Sequence, residues 1–439
     1  MHPKALMDAC TELVRQVLKF DHPADAVVSQ FFKQHRKSLG LGPRERTALS
    51  GAVYSVLRQK LLFDHLSPSG SGPKERRMAI LGFAHHQDQL AHSPQPGQGQ
   101  GARDFLRSAL SEPEKKWLEQ CDAVDRQALL DRHRHNLPEW LVASLKAQLG
   151  DDFWAYVAAL NRPQGMDLRV NALGHKRSEV QAQLKKERIA SEPTPFSPWG
   201  LRLLDKPNLS ASAAFSQGAV EVQDEGSQLL ALLVDAKRGE MVVDFCAGGG
   251  GKTLALGAAM RNTGRLYAMD TSAHRLEGLK PRLARSGLSN VHPLAIAHER
   301  DDRIKRLSGK IDRVLVDAPC SGLGTLRRSP DLKWRQSPEG VQAMSVQQNA
   351  ILDSAARLLK PGGRLVYATC STMLEENEAV AQAFSQRHPQ WVPLSVKDAL
   401  TELKVDQAAQ LCGDDGMYLR MWPHRHGTDG FFAAVWCAP

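Results

Sequence analysis

The feature that most constrains the fold is a run of four glycines between a strand and a helix. Val242-Val-Asp-Phe-Cys246 has the apolar character of a strand, Gly248–Gly251 follow it, and Thr253–Ala259 has helical spacing. Glycine lets the backbone turn sharply and approach a ligand closely, which predicts a ligand-binding turn at the carboxyl end of a sheet strand. A tight turn that binds nothing is the simpler alternative.

Strands and helices alternate through residues 226–439. We predict strands at Met241–Cys246, Arg265–Met269, Arg313–Asp317 and Arg364–Thr369, and helices at Thr253–Ala259, His274–Ser286 and Val341–Leu359. This alternation is typical of a doubly wound α/β domain with a parallel, Rossmann-like sheet. Two late runs, Met417–Trp422 and Gly430–Trp436, have no predicted helix between them and indicate a closing hairpin.

Two smaller parts precede this domain. Residues 1–135 place apolar side chains at helical spacing, which predicts an all-helical domain, and residues 92–101 within it (HSPQPGQGQG) are predicted to be flexible. Residues 136–225 are interpreted as a small α+β module. Its predicted helices lie within Trp140–Leu160 and Ser178–Ile189, and its predicted strands are Asp167–Leu173 and Gly200–Leu204.

The charge of the chain indicates a class of partner. Its 439 residues include 57 Lys and Arg against 48 Asp and Glu, a net charge of +9. This surplus favours a polyanion such as nucleic acid, although a basic protein without such a partner has the same balance. No run approaches the roughly 18 apolar residues of a membrane span. Seven cysteines without a Cys-x-x-Cys pair predict a reducing compartment, taken as the cytoplasm, with neither a metal site nor disulfides.

Two ligand classes compete for the glycine turn. A P-loop requires a glycine at the position that Cys246 occupies, so the match of Gly251-Lys-Thr253 to the end of that motif is incomplete. A nucleoside cofactor requires an acid after the next strand to bind its ribose, and Asp270 stands there. The sequence therefore favours a nucleoside cofactor.

Two cysteines each follow a predicted strand. Cys320 lies in Asp317-Ala-Pro-Cys320, and Cys370 follows the strand Arg364–Thr369. A lone cysteine is usually a small buried apolar residue, but two at one sheet edge, where ligands bind, favour a reactive pair. Thr372-x-x-Glu375 predicts a capping box, and the dipole of the helix it begins would favour a thiolate at Cys370.

Methylation of a pyrimidine at carbon 5 is a reaction that needs both thiols. Carbon 5 is a poor nucleophile until a thiolate adds to carbon 6 and turns the ring into an enamine. Asp317 would bind the exocyclic amine and ring nitrogen of cytosine. A second group then assists loss of the carbon 5 proton and of the thiolate. The residues alone leave open which cysteine is the nucleophile.

Four motifs of the C-terminal domain occur together. They are Asp317-Ala-Pro-Cys320-Ser-Gly, Arg327-Arg-Ser-Pro-Asp331-Leu-Lys-Trp334, Tyr367-Ala-Thr-Cys370-Ser and Glu375-Glu-Asn377. In combination they resemble the RsmB/Sun family of RNA cytosine-5 methyltransferases. The resemblance implies S-adenosylmethionine as the methyl donor, Cys370 as the nucleophile and Cys320 as the group that assists release.

The resemblance also implies a set of cofactor contacts. These are Cys246, Ala247, Gly248, Gly249, Gly250, Gly251, Lys252, Asp270 and Asp317. The chain departs from the family in two places. Gly248 and Gly249 replace the Ala-Pro of the family turn, which loosens the loop. No acid follows the third strand in register, so the adenine contact near Ala297–Glu299 is open, with His298 or Glu299 as substitutes.

The implied fold is α/β, with a Rossmann-like methyltransferase domain at the C-terminus. An all-helical module that resembles the RNA-binding NusB module, through Gly42-Pro-Arg-Glu-Arg46 and Val53–Arg58, precedes it. The small α+β module lies between them, in the place of the family's RNA-recognition-like domain. The implied partner is RNA, most simply small-subunit ribosomal RNA, with transfer RNA as the runner-up. A non-catalytic RNA-binding protein on the same fold and a P-loop nucleoside triphosphatase are the alternatives from other classes.

Candidate RNA contacts lie beside the first cysteine. They are Arg327, Arg328 and Lys333, which would meet phosphates together with Arg335, and Trp334, which would stack on a base. The alternative is that the two arginines are solvated loop charges and that the tryptophan packs in a core.

Overall fold

The computed structural model of the protein describes residues 1–36, 38–91, 102–205 and 207–439. The chain forms two compact units, one of Met1–Arg162 with Leu326–Ser337 and one of Pro163–Thr325 with Pro338–Pro439. The segment 92–101, predicted to be flexible, lies outside the described residues. Within the described ranges, no helix has both the length and the apolar character needed to cross a membrane.

The first unit is helical. Its α-helices are Pro3–Val17, Ala24–Gln34, Pro43–Arg58, Lys60–Leu66, Lys74–Ala91, Ala102–Ala109, Glu112–Asp122, Asp131–His135, Glu139–Leu149, Phe153–Leu160 and Leu332–Arg335. Apolar residues at helical spacing, such as Leu13, Leu49 and Phe63, are buried in a common core. The predicted helical N-terminal region is thus confirmed. Glu139–Leu149 and Phe153–Leu160, which the sequence places in the middle module, lie in this unit.

The second unit begins with a small antiparallel sheet. Its strands are β1 (Met166–Val170), β2 (Ser191–Pro193), β3 (Gly200–Leu203) and β4 (Val220–Val222), in the order β2-β3-β1-β4. The helices Arg177–Lys186 and Ala213–Ser216 accompany it, and Leu168, Leu184 and Leu201 fill the space between sheet and helices. An α+β module is confirmed, while the short strands β2 and β4 were not predicted.

The second sheet carries the predicted strand ends. Its strands are β5 (Met241–Asp244), β6 (Arg265–Asp270), β7 (Val291–Ala295), β8 (Ile311–Asp317), β9 (Leu359–Thr369), β10 (Val392–Leu394), β11 (Leu419–Met421) and β12 (Phe431–Cys437). The order is β10-β12-β9-β8-β5-β6-β7, with β11 paired to β12. Strands β5 to β9 pair in parallel, and β10, β11 and β9 each pair antiparallel with β12.

Helices cover both faces of this sheet, as parallel connections require. They are Glu225–Leu233, Gly251–Ala259, Ala273–Ser286, Asp302–Lys305, Pro338–Ala356, Glu378–Arg387, Val396–Glu402 and Pro423–His426. The predicted closing hairpin exists, but the helix Pro423–His426 lies between its strands, which corrects the prediction of none. Because β5, β6, β8 and β9 are parallel, their carboxyl ends meet at one edge, where the motif residues lie.

Candidate active site

The glycine turn follows β5 and leads into the helix Gly251–Ala259. Gly248 and Gly250 have left-handed φ angles of 54° and 81°, which other residues adopt only with strain. The N–H of Gly248 donates to Asp270 Oδ2 over 2.8 Å, and Asp270 Oδ1 accepts from the N–H of Ser272 over 2.7 Å. A side chain added at Gly248 would meet no atom within 4 Å, so this face of the turn has space for a ligand.

A second carboxylate lies beneath the turn. Asp244 ends β5 and is buried; its Oδ2 accepts from Thr253 Oγ1 over 2.7 Å, while its Oδ1 has no hydrogen-bond partner. Burial raises the pKa of Asp244 to about 7, against the opposing effect of the Thr253 hydrogen bond. The orphaned oxygen fits a site that receives a polar ligand. Asp244 was not among the site residues predicted from the sequence, although an acid that ends the strand before a glycine turn is a signal for such a role.

Lys252, directly after the glycine turn, contacts the motif Asp317-Ala-Pro-Cys320. Its ammonium lies 2.7 Å from Asp317 Oδ2, at the end of β8. Burial lowers the pKa of Lys252, but the charges of Asp317 and of Cys370 outweigh it, and the net pKa lies above the usual value. The Lys252 ammonium is therefore held as a cation beside Asp317 and Cys370.

The two motif cysteines meet at the ends of adjacent parallel strands. Cys320 Sγ and Cys370 Sγ are 3.4 Å apart. Both cysteines are free thiols and are partly accessible to solvent. The hydrogen bond to Cys370 and burial raise the pKa of Cys320 well above its usual value. At this separation, the S–H of Cys320 can donate to a Cys370 thiolate.

Glu376, a buried glutamate of the Glu375-Glu-Asn377 motif to which the sequence assigned no role, holds the two cysteine loops together. Glu376 Oε1 accepts from the N–H of Ser321 over 2.7 Å and from Gln348 Nε2 over 3.1 Å. Its Oε2 accepts from the hydroxyls of Ser321 and Ser371, the residues that follow Cys320 and Cys370. Glu376 is fully buried, so this carboxylate fixes the spacing of the two loops.

The predicted capping box at Thr372 and Glu375 is wrong. A 3-10 turn, Leu374–Glu376, follows the strand, and the helix begins two residues later, at Glu378, with Asn377 as its N-cap residue. The N-cap residue still lies close to Cys370, because the Asn377 side chain accepts from Thr369 Oγ1 over 2.5 Å and donates to the carbonyl oxygen of Ser371 over 3.0 Å.

An acid does lie after the third parallel strand, β7, but farther along the chain than expected. Asp301 Oδ2 accepts from the N–H of Ala297 over 2.9 Å, and Arg303 binds the same carboxylate. The Arg303 hydrogen bond holds the pKa of Asp301 well below its usual range. Asp301 is the carboxylate that binds back onto the loop after β7, and it is a further candidate for the adenine contact; His298 and Glu299 stay predictions.

Two of the candidate RNA contacts are packed inside the helical unit. Lys333 is 4% exposed, and its ammonium donates to the carbonyl oxygen of Arg58 over 3.0 Å. Burial lowers the pKa of Lys333 to about 7. The indole N–H of Trp334 donates to the carbonyl oxygen of Leu57 over 2.8 Å, and its ring packs on the helical core. The burial of Lys333 corrects its assignment as a phosphate contact, whereas Trp334 is only partly buried and stays a prediction as an RNA contact.

The other residues of the segment 327–335 include some that pack within the helical unit and one that is exposed. Asp331 Oδ2 accepts from the N–H of Ala24 over 3.1 Å, which satisfies the N-terminus of a helix, and its carboxylate also pairs with Arg335. Arg58 donates to the carbonyl oxygen of Arg327 over 2.8 Å. Arg328 is exposed. Arg327 and Arg328 stay predictions as RNA contacts.

Replacing Trp334 with Ala should destabilise the protein by about 2 kcal/mol, because the indole is partly buried and its hydrogen bond is lost. Thermal unfolding of the ligand-free protein measures the change. Arg328→Ala is the control and should stay within about 0.5 kcal/mol of the unmodified protein. An unchanged melting temperature in the Trp334 variant, together with weaker RNA binding, would instead support the prediction that Trp334 contacts RNA.

Known proteins share this architecture. Residues 231–436 match the family model for the 16S rRNA methyltransferase RsmB/F, and residues 137–210 match its ferredoxin-like domain. The chain is 30% identical over 409 residues to the ribosomal RNA small subunit methyltransferase B of Vibrio cholerae, covering 90% of this chain and 89% of that one. The probable small subunit methyltransferase B of Synechocystis is 29% identical over 442 residues, covering 96% and 97%.

A solved structure agrees over the whole chain. The crystal structure of PH0851 is 29% identical, has a TM-score of 0.76 and covers 99% of both chains. The small α+β module is thus ferredoxin-like, and the C-terminal domain is a Rossmann-like methyltransferase domain. The motif resemblance is confirmed: the chain belongs to the RsmB/F family of 16S ribosomal RNA methyltransferases, whose methyl donor is S-adenosylmethionine.

Proposed function

We propose that the protein methylates carbon 5 of a cytosine in small-subunit ribosomal RNA through a covalent adduct with Cys370, and that Cys320 assists its release. The observation that carries the proposal is the 3.4 Å approach of two free thiols at the ends of β8 and β9. Asp317 and Lys252 lie at the same edge and supply the charges that such a reaction needs.

The cofactor site is assigned to the glycine turn and the acids around it. Gly248 offers an open backbone face, and Asp270 retains lone pairs for hydroxyl groups of a ribose. The orphaned oxygen of Asp244 supports a polar ligand at this place. Lys252 is held by Asp317, an arrangement unlike the free lysine that a P-loop aims at phosphates. Bound S-adenosylmethionine supplies a methyl group on a positively charged sulfur, the electrophile for the reaction.

The residues of the chain supply the activation of the base. The Cys370 thiolate bonds to carbon 6, and the ring electrons move toward the ring nitrogen, which takes a proton from solvent and donates that N–H to Asp317; this proton returns to solvent when the sulfur leaves. Carbon 5 thereby becomes nucleophilic enough to accept the methyl group. The carbon 5 proton then passes to solvent, the double bond re-forms, and the sulfur–carbon bond breaks. The S–H of Cys320 donates to the departing Cys370 sulfur, which assists its expulsion.

Comparison of ribosomal RNA from cells with and without the protein tests this function. Bisulfite treatment leaves 5-methylcytosine unconverted, so one protected cytosine in small-subunit RNA should be lost in the deletion strain and restored by the purified enzyme with S-adenosylmethionine. If a protected cytosine is lost from transfer RNA instead, transfer RNA is the substrate. An unchanged pattern in both RNAs would refute the proposal.

Asp270→Ala should weaken S-adenosylmethionine binding by about tenfold to a hundredfold, because a charged acceptor for ribose hydroxyls is removed. Calorimetric titration with the cofactor measures this change. Asp312→Ala is a matched control, because Asp312 pairs with Lys360 at the opposite end of β8. Equal affinity of the Asp270 variant and the unmodified protein would place the cofactor elsewhere.

A further inference from the structure

The glycine turn contains few features that hold its backbone in one conformation. Four consecutive glycines have more conformational freedom to lose than any other tetrapeptide. The N–H groups of Gly248 and Gly250 are bound, to Asp270 and to the carbonyl oxygen of Ala247 respectively. Gly249, between them, is exposed. An ordered Gly249 therefore needs a contact from outside the turn.

Arg282 supplies such a contact. It lies on the helix Ala273–Ser286, and its Nη1 donates to the carbonyl oxygen of Gly249. A side chain added at Gly249 would meet Arg282 Nη1 at 3.4 Å and no other atom within 4 Å. The guanidinium thus covers the exposed peptide of the turn without occupying the open face at Gly248.

The guanidinium is itself anchored. Arg282 Nε and Nη2 donate to Glu221 Oε2 over 3.3 and 3.1 Å. Glu221 lies on β4 of the small sheet and is 5% exposed, and its Oε1 accepts from Arg285. Two nitrogens held by one buried carboxylate leave the planar guanidinium little freedom, so the third nitrogen is aimed at the turn.

We propose that Arg282, anchored by Glu221, is a positioning residue that holds the glycine turn in the conformation that binds S-adenosylmethionine. The inference rests on the proposed assignment of the turn as the cofactor site. It makes Glu221, a residue of the small antiparallel sheet, part of the support of a cofactor site in the methyltransferase domain. Arg285 shares the same carboxylate but does not contact the turn, which makes it a matched control.

The test measures cofactor affinity and turn dynamics separately. Arg282→Ala should raise the dissociation constant for S-adenosylmethionine about tenfold, the loss expected for one charge-assisted hydrogen bond. Amide exchange of the peptide that contains the turn should become faster in the cofactor-free protein. Arg285→Ala should change neither quantity. Unchanged exchange and affinity in Arg282→Ala, or equal effects of both arginine variants, would overturn the proposal.

A second-site variant distinguishes positioning from direct contact with the cofactor. Glu221→Gln weakens the anchor and leaves Arg282 in place, so it should also speed amide exchange of the turn and raise the dissociation constant about two- to fivefold. Normal exchange and affinity in Glu221→Gln, with weakened binding in Arg282→Ala, would mean that Arg282 touches the cofactor itself and would refute the positioning role. Faster exchange in Arg282→Ala, with cofactor affinity unchanged in both Arg282→Ala and Asp270→Ala, would refute the cofactor assignment and leave only the contact to the turn.

Discussion

Cys370→Ala should abolish methyl transfer, with a fall in rate of the order of 10⁶-fold, because the group that forms the covalent intermediate is removed. The same variant should form no protein–RNA adduct on a denaturing gel. Cys320→Ala should behave differently: the adduct still forms, but its release slows, because the proton donor 3.4 Å from the Cys370 sulfur is missing. Adduct yield and transfer of labelled methyl are measured side by side.

The control for both variants is Cys412→Ala, another partly buried thiol of the same unit that does not belong to the sheet edge. It should retain normal transfer and accumulate no adduct. Cys370→Ser checks the chemistry further, since a hydroxyl is a far weaker nucleophile than a thiolate and should not rescue activity. Accumulation of adduct in Cys370→Ala would invert the two roles, and normal turnover of Cys370→Ser would exclude the covalent route.

Glu376→Ala should lower kcat by about 100-fold with little change in KM for RNA, because a displacement of about 1 Å in a reacting group can have that effect. The carboxylate joins the loops that carry Cys320 and Cys370, so its loss lets the two thiols separate. Steady-state kinetics with saturating cofactor measure the change. Glu375→Ala, an exposed neighbour, is the matched control and should retain full activity.

Glu376→Gln gives a readout that a purely structural role would not produce. The hydrogen bond to Cys370 and burial raise the pKa of Cys320, and the charge of Glu376 raises it further. Removing that charge lowers the pKa of Cys320, so the alkaline limb of the release step, which needs a protonated thiol, should move to lower pH. A release profile identical to that of the unmodified enzyme would remove Glu376 from the chemistry.

The parts of the site that depend on local pattern were predictable from the sequence. Between residues 241 and 259, a strand, a glycine turn and a helix follow one another directly in the sequence. Parallel strands bring their carboxyl ends together, so the proximity of Cys320 and Cys370 follows from the strand assignments. Short strands were missed for a physical reason. Strand β7 contains His292 and Pro293 and has a polar exposed face, so only its pairing with β6 reveals it.

Contacts between distant parts of the chain were beyond the sequence. Lys333 and Trp334 have the composition of an RNA-binding loop, yet the partners that bury them are Arg58 and Leu57, more than 270 positions away. The role of Glu376 has the same origin, because nothing near it in sequence indicates that Ser321 is its partner. Composition shows which side chains can bind a polyanion, and the fold decides which of them are accessible.

The division of the chain limits how the protein can be taken apart. The backbone changes units after Arg162, again after Thr325 and once more after Ser337. If the chain is divided once, after Arg162, the C-terminal fragment contains the helix Leu332–Arg335 without the helices that it packs against. Lys333 and Trp334 would then lose their contacts with Arg58 and Leu57. Such a product is prone to aggregate. Fragment complementation therefore requires both halves to be made together, and a transplanted catalytic domain needs this segment redesigned.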